Sequence, residues 1–364
     1  MIQDLPAAKV HLYCVEGDAL GRLVLSALLA VSLVSATGSP SSAATACAVT
    51  DTMVAVSNYW VEHGTDLDAN NWQNATYHIG NLAVVRTTGV SNHRTLPWAE
   101  ANKYQLPGQD FRAANFTSGE AYEDLAFFHP DPAHLQPLRD RVTAQISAGQ
   151  LSTWNTPMDV LLAMPAYVRL NTPEVSAAAF RLFDRVSRLF DARTGLWWQD
   201  WRFVGSPVYW SQANASALAG LVKVVLALPA NDPHRASYVD LVRRTATALK
   251  GLQRPDGSWG IDLTHPSPFG AESNGTALIT YAFGAGANNG LLDSTYAAAA
   301  QRGWTWLTTK ALQPTGKLGH VQIPGATPWD NWPINPSTTA AFAVGNFLIA
   351  GQQIAHLTPS CTTP

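Results

Sequence analysis

Ser211-Gln212-Ala213-Asn214-Ala215-Ser216-Ala217-Leu218-Ala219-Gly220-Leu221-Val222-Lys223-Val224-Val225-Leu226-Ala227-Leu228-Pro229 carries one formal charge, Lys223, in nineteen residues. A helix that is apolar on every side has to be buried. Residues 270–288 read the same way, with Glu272 as their single charge, and 335–355 hold none. Between these bare stretches lie charged ones. Residues 173–191 hold Glu174, Arg181, Asp184, Arg185, Arg188 and Asp191; residues 234–253 hold Arg235, Asp240, Arg243, Arg244 and Lys250. Buried helices alternating with half-exposed ones, joined by short turns, imply two concentric rings. The expected fold is all-α: an (α/α)6 barrel with the bare helices inside.

Twelve helical stretches carry this pattern, at 47–63, 71–89, 95–105, 116–129, 132–149, 156–170, 173–191, 211–229, 234–253, 270–288, 293–313 and 335–356. Breaks fall at Pro130-Asp131-Pro132, Asn171-Thr172-Pro173 and Asn231-Asp232-Pro233. No linker divides them, so one domain is expected. Three short inserts recur near sixty-residue spacing: Arg193 to Trp198, Arg254 to Gly260 and Gln313 to Gly319. Each follows a charged helix and precedes a bare one, and each reads as a turn or short β-hairpin at the same end of the barrel.

The 364 residues are 46% hydrophobic and 13% charged, with net charge −3 and 13 Trp. That is enough to bury a large core, and it argues against nucleic acid or an anionic membrane as partner. Many indoles with few basic groups suit an uncharged or weakly anionic ligand such as sugar. Leu23 to Val34 form an apolar run after Arg22, followed by Ser/Ala-rich sequence ending Ala44-Thr45-Ala46-Cys47. This is the pattern of a secretory signal. The expected organisation is 1–46 signal and preamble and 47–364 a single catalytic domain, secreted, off the membrane and monomeric. Cys14 is then discarded. Cys47 and Cys361 remain at the two ends, either as a bridge worth roughly 4–5 kcal/mol in the chain-entropy account or as two thiols.

In such a barrel the inner helices all point one way, so their N-termini and positive dipole ends meet in one bowl. The residues gathered there are Asn71-Trp72-Gln73-Asn74 with Tyr77 and His78, Asn115, Asp159, Trp210 to Asn214, Glu272-Ser273-Asn274, and Asn331-Trp332. Asp159 stands third in a helix capped by Thr156 and opened by Pro157, so it is a candidate acid and also a good capping-box residue. His78 reads as a ligand contact or as a packing histidine. Asp200 and Glu272 read as partners of Asp159 in an ordinary glycosidase pair, or as a hairpin closure and a helix cap. His320 is a further candidate for the mouth. Asn74, Asn115, Asn214 and Asn274 match the glycan acceptor pattern, but three of them sit at inner helix starts where a glycan has no room. No cofactor or metal is expected, because no cluster has metal-ligand spacing and no phosphate loop or Ser-His-Asp signature is visible.

Taken in order, several motifs resemble those of the unsaturated uronyl hydrolases, the unsaturated glucuronyl and rhamnogalacturonyl hydrolase families. They are Tyr77-His78-Ile79-Gly80-Asn81-Leu82, Asp159 through Pro165, Gly195-Leu196-Trp197-Trp198, Trp210-Ser211-Gln212-Ala213-Asn214, Leu252 through Trp259, Glu272-Ser273-Asn274-Gly275-Thr276-Ala277 and Asn289 to Asp293. The resemblance implies the same (α/α)6 barrel. It also implies release of a terminal 4,5-unsaturated uronic acid from lyase-generated oligosaccharides by hydration of the double bond. Asp159 would protonate C4 and deprotonate the water that attacks C5; Trp72, Tyr77, His78, Asn115, Trp198, Trp210, Asn214 and Glu272 would shape the subsite. Three departures stand out. Asn115 replaces a second Asp, Gln212-Ala213-Asn214-Ala215-Ser216 replaces Arg-Gly-Asn-Gly-Trp, and Gln199 stands where a His is usual. Two other readings stay open: a glycosidase on saturated substrates, and a non-catalytic sugar-binding relative.

Overall fold

A computed structural model describes residues 45–265, 270–330 and 333–359. Most of the expected signal segment, Asn331-Trp332 and Cys361 lie outside the described residues. The helices are α1 (Ala46–His63), α2 (Trp72–Thr88), α3 (Thr95–Ala101), α4 (Thr117–Ala126), α5 (Gln136–Ser147), α6 (Pro157–Leu162), α7 (Met164–Arg169), α8 (Pro173–Ser187), α9 (Ser211–Ala227), α10 (Arg235–Gly251), α11 (Ser273–Asn288), α12 (Ser294–Trp306) and α13 (Ala341–Leu357). The inner helices pack neighbour to neighbour, α2 on α4, α4 on α7, α6 on α9, α9 on α11, α11 on α13 and α13 on α2, and they are nearly bare except α4, which carries Glu120, Glu123 and Asp124. That sequence of contacts closes a ring. An outer layer lies against it: α1 against α2 and α13, α3 against α2 and α4, α8 against α6 and α7, α10 against α9, and α12 against α11 and α13. The fold is an (α/α)6 barrel.

Small residues set how tightly the ring closes. A Cβ on Gly80 of α2 would meet the Gly345 carbonyl of α13 at 2.4 Å, and one on Gly345 would meet the Thr76 carbonyl at 2.0 Å. The two helices therefore cross backbone to backbone. The three recurrent inserts share one device as well. Gly195, Gly257 and Gly316 have φ of 75°, 94° and 91°. Each sits against the backbone of the next outer helix, its added Cβ meeting Arg244, Arg302 and Ala55 carbonyls at 3.0, 2.3 and 3.1 Å. The first insert is a two-stranded hairpin, β1 (Phe190–Asp191) with β2 (Leu196–Trp197).

Several boundaries differ from expectation for identifiable reasons. The expected helix 156–170 is two short ones, parted at Ala163 with φ −126°. Pro165 has no N–H to give the Leu161 carbonyl, and its ring crowds that carbonyl. The stretch at 335–356 becomes helical only at Ala341. The described residues of 319–340, namely 319–330 and 333–340, form instead an irregular strap that packs on the start of α9. Lys223, the lone charge on α9, is also not isolated: its Nζ lies 2.8 Å from Glu120 Oε1 on α4, and Arg169 of α7 reaches the same oxygen at 3.4 Å and Asp124 at 3.0 Å. A compact ion cluster thus joins α4, α7 and α9 inside the ring.

Candidate active site

Asp159 stands in the first turn of α6 and is half-buried. Its Oδ2 accepts hydrogen bonds from the backbone N–H groups of Asn155 (2.7 Å) and Thr156 (2.9 Å). Burial raises its pKa, opposed by those two backbone donors and by the Thr156 side chain. The capping role and a chemical role are therefore combined in one side chain: one oxygen is fixed by the helix start, and the proton is held more firmly than on an ordinary aspartate. Arg185 of α8 donates from Nε to Asn155 Oδ1 at 3.0 Å, bracing the residue that holds Asp159.

The structure withdraws several expected contacts from the bowl. Tyr77 is fully buried toward α1, its hydroxyl 3.1 Å from Ser57 Oγ and within reach of Asn92 Nδ2 at 3.3 Å. His78 is equally buried, stacked on Trp98 with ring centroids 4.2 Å apart and its Nδ1 3.1 Å from Thr95 Oγ1. Burial drives its pKa down to about 3, so it is neutral. Both residues pack the α1–α2–α3 wall. The physical reason is helical phase: one turn beyond Trp72, side chains at 77 and 78 face the outer layer rather than the opening.

Asn214 is fully buried too, with Oδ1 accepting from Trp197 N (2.7 Å) and Nδ2 donating to the Trp197 and Trp210 carbonyls (3.0 and 2.9 Å). It is a clamp between the hairpin and α9. Trp198 is 8% exposed and donates from Nε1 to Ser206 O. Glu272 is 0% exposed and caps α11, accepting from Asn274 N, Gly275 N and Ser211 Oγ. Burial, set against those donors, raises its pKa to about 7. Trp210 is 1% exposed, its Nε1 donating to Gln322 Oε1 at 2.7 Å. Gln322 also accepts at its carbonyl from Gln212 Nε2 (2.8 Å) and donates to the Pro328 carbonyl (2.6 Å). Ile334 packs on Trp210, Ala213 and Ile261. The strap thus occupies the space over the start of α9. The small side chain of Ala213 leaves room there for Ile334.

Trp72 and Asn115 stay partly exposed. Trp72 packs against Phe342 at 5.1 Å, and Asn115 Nδ2 donates to Asp110 Oδ1 at 2.6 Å. Asp200 is gripped by Arg202, 2.7 Å from Nη2 to Oδ2, which lowers its pKa. His320 is anchored in the strap, its carbonyl accepting from Ser273 N. Asn74, Asn214 and Asn274 are buried, which leaves no room for glycans there in the folded chain. Among the described residues no group of three His, Cys, Asp or Glu is placed to hold a metal. Sequence reasoning gave no role to Arg185, Gln322 or Ile334, because each acts through a neighbour distant in the chain, nor to Asn155, which acts on Asp159 through its backbone N–H.

Residues 46–358 match the sequence profile of Glycosyl Hydrolase Family 88. The chain belongs to glycosyl hydrolase family 88. An unsaturated 3S-rhamnoglycuronyl hydrolase of Alteromonas sp. (strain LOR) is 30% identical over 199 residues, 52% of this chain and 45% of that protein. The chain spans about half the length of the curated relatives it matches. A solved family 88 glycosyl hydrolase from Bacteroides vulgatus superposes with TM-score 0.80 at 25% identity, covering 86% of this chain and 100% of that one. A solved polysaccharide lyase gives TM-score 0.79 at 26% identity over 85% and 97%. The family 88 barrel is thus common to chains described as hydrolases and to one described as a lyase.

Proposed function

We propose that this chain is an unsaturated uronyl hydrolase that removes a terminal 4,5-unsaturated uronic acid from oligosaccharides left by a polysaccharide lyase. The observation that carries the reading is Asp159: a half-buried carboxyl at the start of an inner helix of a family 88 barrel, one oxygen pinned by two backbone donors and its pKa raised by burial. Its carboxyl gives the proton to C4 of the enol ether. Water then adds at C5 and returns a proton to the same carboxylate, and the hemiketal opens to release the leaving sugar. The inner-helix N-termini, including those of α2, α6 and α9, favour the uronate charge. Trp72 and Asn115 flank the reacting ring. The paired-carboxylate alternative loses support, since Asp200 is held by Arg202 and Glu272 is sealed under α11.

The test is the ultraviolet absorbance of the conjugated enol ether in an unsaturated uronyl disaccharide. A hydrolase of this kind makes it decay, a lyase on the parent polysaccharide makes it rise, and a saturated-glycoside hydrolase leaves it alone. We propose in addition that the chain is secreted and monomeric, with Cys47 bridged to Cys361. The Ala46 N–H donates to the Pro359 carbonyl at 3.3 Å, which supports the bridge by bringing the two chain ends together.

A further inference from the structure

Twelve of the thirteen tryptophans are described, and two of them are exposed: Trp201 at 43% and Trp329 at 45%. An indole left in water gives up much of the gain its burial would bring, so two such rings on two loops that touch each other call for a physical reason. Trp201 opens a short 3-10 turn (Trp201–Phe203) in the loop between β2 and α9. That turn is locked. Asp200 caps it by accepting from Arg202 N at 2.9 Å, and the Arg202 guanidinium grips the same carboxylate while donating to the Ala326 carbonyl at 3.2 Å. The contact ties the turn to the strap three residues before Trp329.

On its other flank the turn is tied to Asp159. The Arg185 guanidinium lies over the Trp201 ring, 5.7 Å from its centroid, and the same side chain donates to Asn155 Oδ1. Asn155 N is one of the two donors on Asp159 Oδ2. Two residues therefore separate an exposed indole from the candidate acid, and every link is a named contact. We propose that Trp201 is the platform of an outer subsite that stacks a sugar ring of the leaving chain, beyond the ring that reacts. An indole offers a broad apolar face for the C–H face of a pyranose, and it loses little rotamer freedom in doing so. Arg185 holds the ring still and adds a positive charge beside it, which suits an anionic saccharide. The inference rests on Asp159 marking the reacting ring, and it makes the protein selective for longer chains.

The experiment compares an unsaturated disaccharide with the unsaturated tetrasaccharide from the same lyase digest, in wild type, Trp201→Ala and Trp201→Phe. The ratio of kcat/KM for tetrasaccharide over disaccharide is expected to fall about tenfold in Trp201→Ala, with the loss in KM, and to recover largely in Trp201→Phe. An unchanged ratio in Trp201→Ala overturns the proposal. If wild type turns over neither substrate, the hydrolase reading fails by itself. Calorimetric titration with the saturated tetrasaccharide then decides the subsite: weaker binding to Trp201→Ala supports it, and equal binding to both proteins overturns it.

Discussion

Asp159 shows how one side chain can satisfy a helix and still hold a proton for chemistry. Its pKa is raised, so the acid form persists to higher pH than for a free aspartate. The rate of any step that needs that proton is expected to fall as pH rises through the raised value, measured as the alkaline limb of a kcat profile. Glu272 gives a second prediction at this scale, on stability. Its folded pKa of about 7 exceeds the ordinary 4.5. Between those values the unfolded chain has lost the proton while the folded chain keeps it, so stability present below about pH 4.5 is lost as pH rises toward 7. Urea unfolding at stepped pH is expected to show that decline in wild type and a flatter line in Glu272→Gln. Single residues were unevenly legible. Asp159 could be picked out because Thr156-Pro157 marks a helix start. His78 and Asn214 could not be sorted between bowl and wall, since polarity on a bare helix looks the same whether a side chain meets sugar or clamps a neighbour such as Thr95 or Trp197.

At the scale of elements, the ring depends on backbone contact between α2 and α13. Gly345→Ala places a methyl group against the Thr76 carbonyl, and overpacking of this kind costs about 1–3 kcal/mol, read as a lower urea midpoint. The ion cluster between α4, α7 and α9 gives another test. Lys223→Met leaves Glu120, which is 1% exposed, facing only the more distant Arg169. Loss of one partner from a buried pair costs about 3–5 kcal/mol, while Lys223→Met with Glu120→Gln is expected to recover much of it. Helix positions came through well from the charge alternation, because burial and hydropathy are directly linked. The Pro165 break in 156–170 was present in the sequence as a proline inside an apolar run. The strap did not come through: residues 335–340 continue the uncharged composition of α13, and nothing local says that Asn335 and Thr338 turn back to bind His320 and Val321.

For the whole molecule, an alternation of bare and charged helices was enough to expect two rings, and α13 closing on α2 completes the inner one. The bowl was less legible than the barrel. Its α9 side is filled by Gln322 and Ile334 from a segment more than a hundred residues downstream, so that half of the expected subsite is wall. Trp72, Asn115 and Asp159 each stay partly exposed. The proposed Cys47–Cys361 bridge is checked by intact mass and thiol labelling without reductant, where a closed pair is expected to take up no label. The central claim is that Asp159 supplies the proton for hydration of an unsaturated uronide. The direct measurement is the decay of enol-ether absorbance in an unsaturated uronyl disaccharide, followed for wild type and Asp159→Asn at matched folding by circular dichroism. Decay in wild type and a rate lower by about 10²–10⁴ in the variant is the result predicted; equal decay in both, or none in wild type, contradicts it.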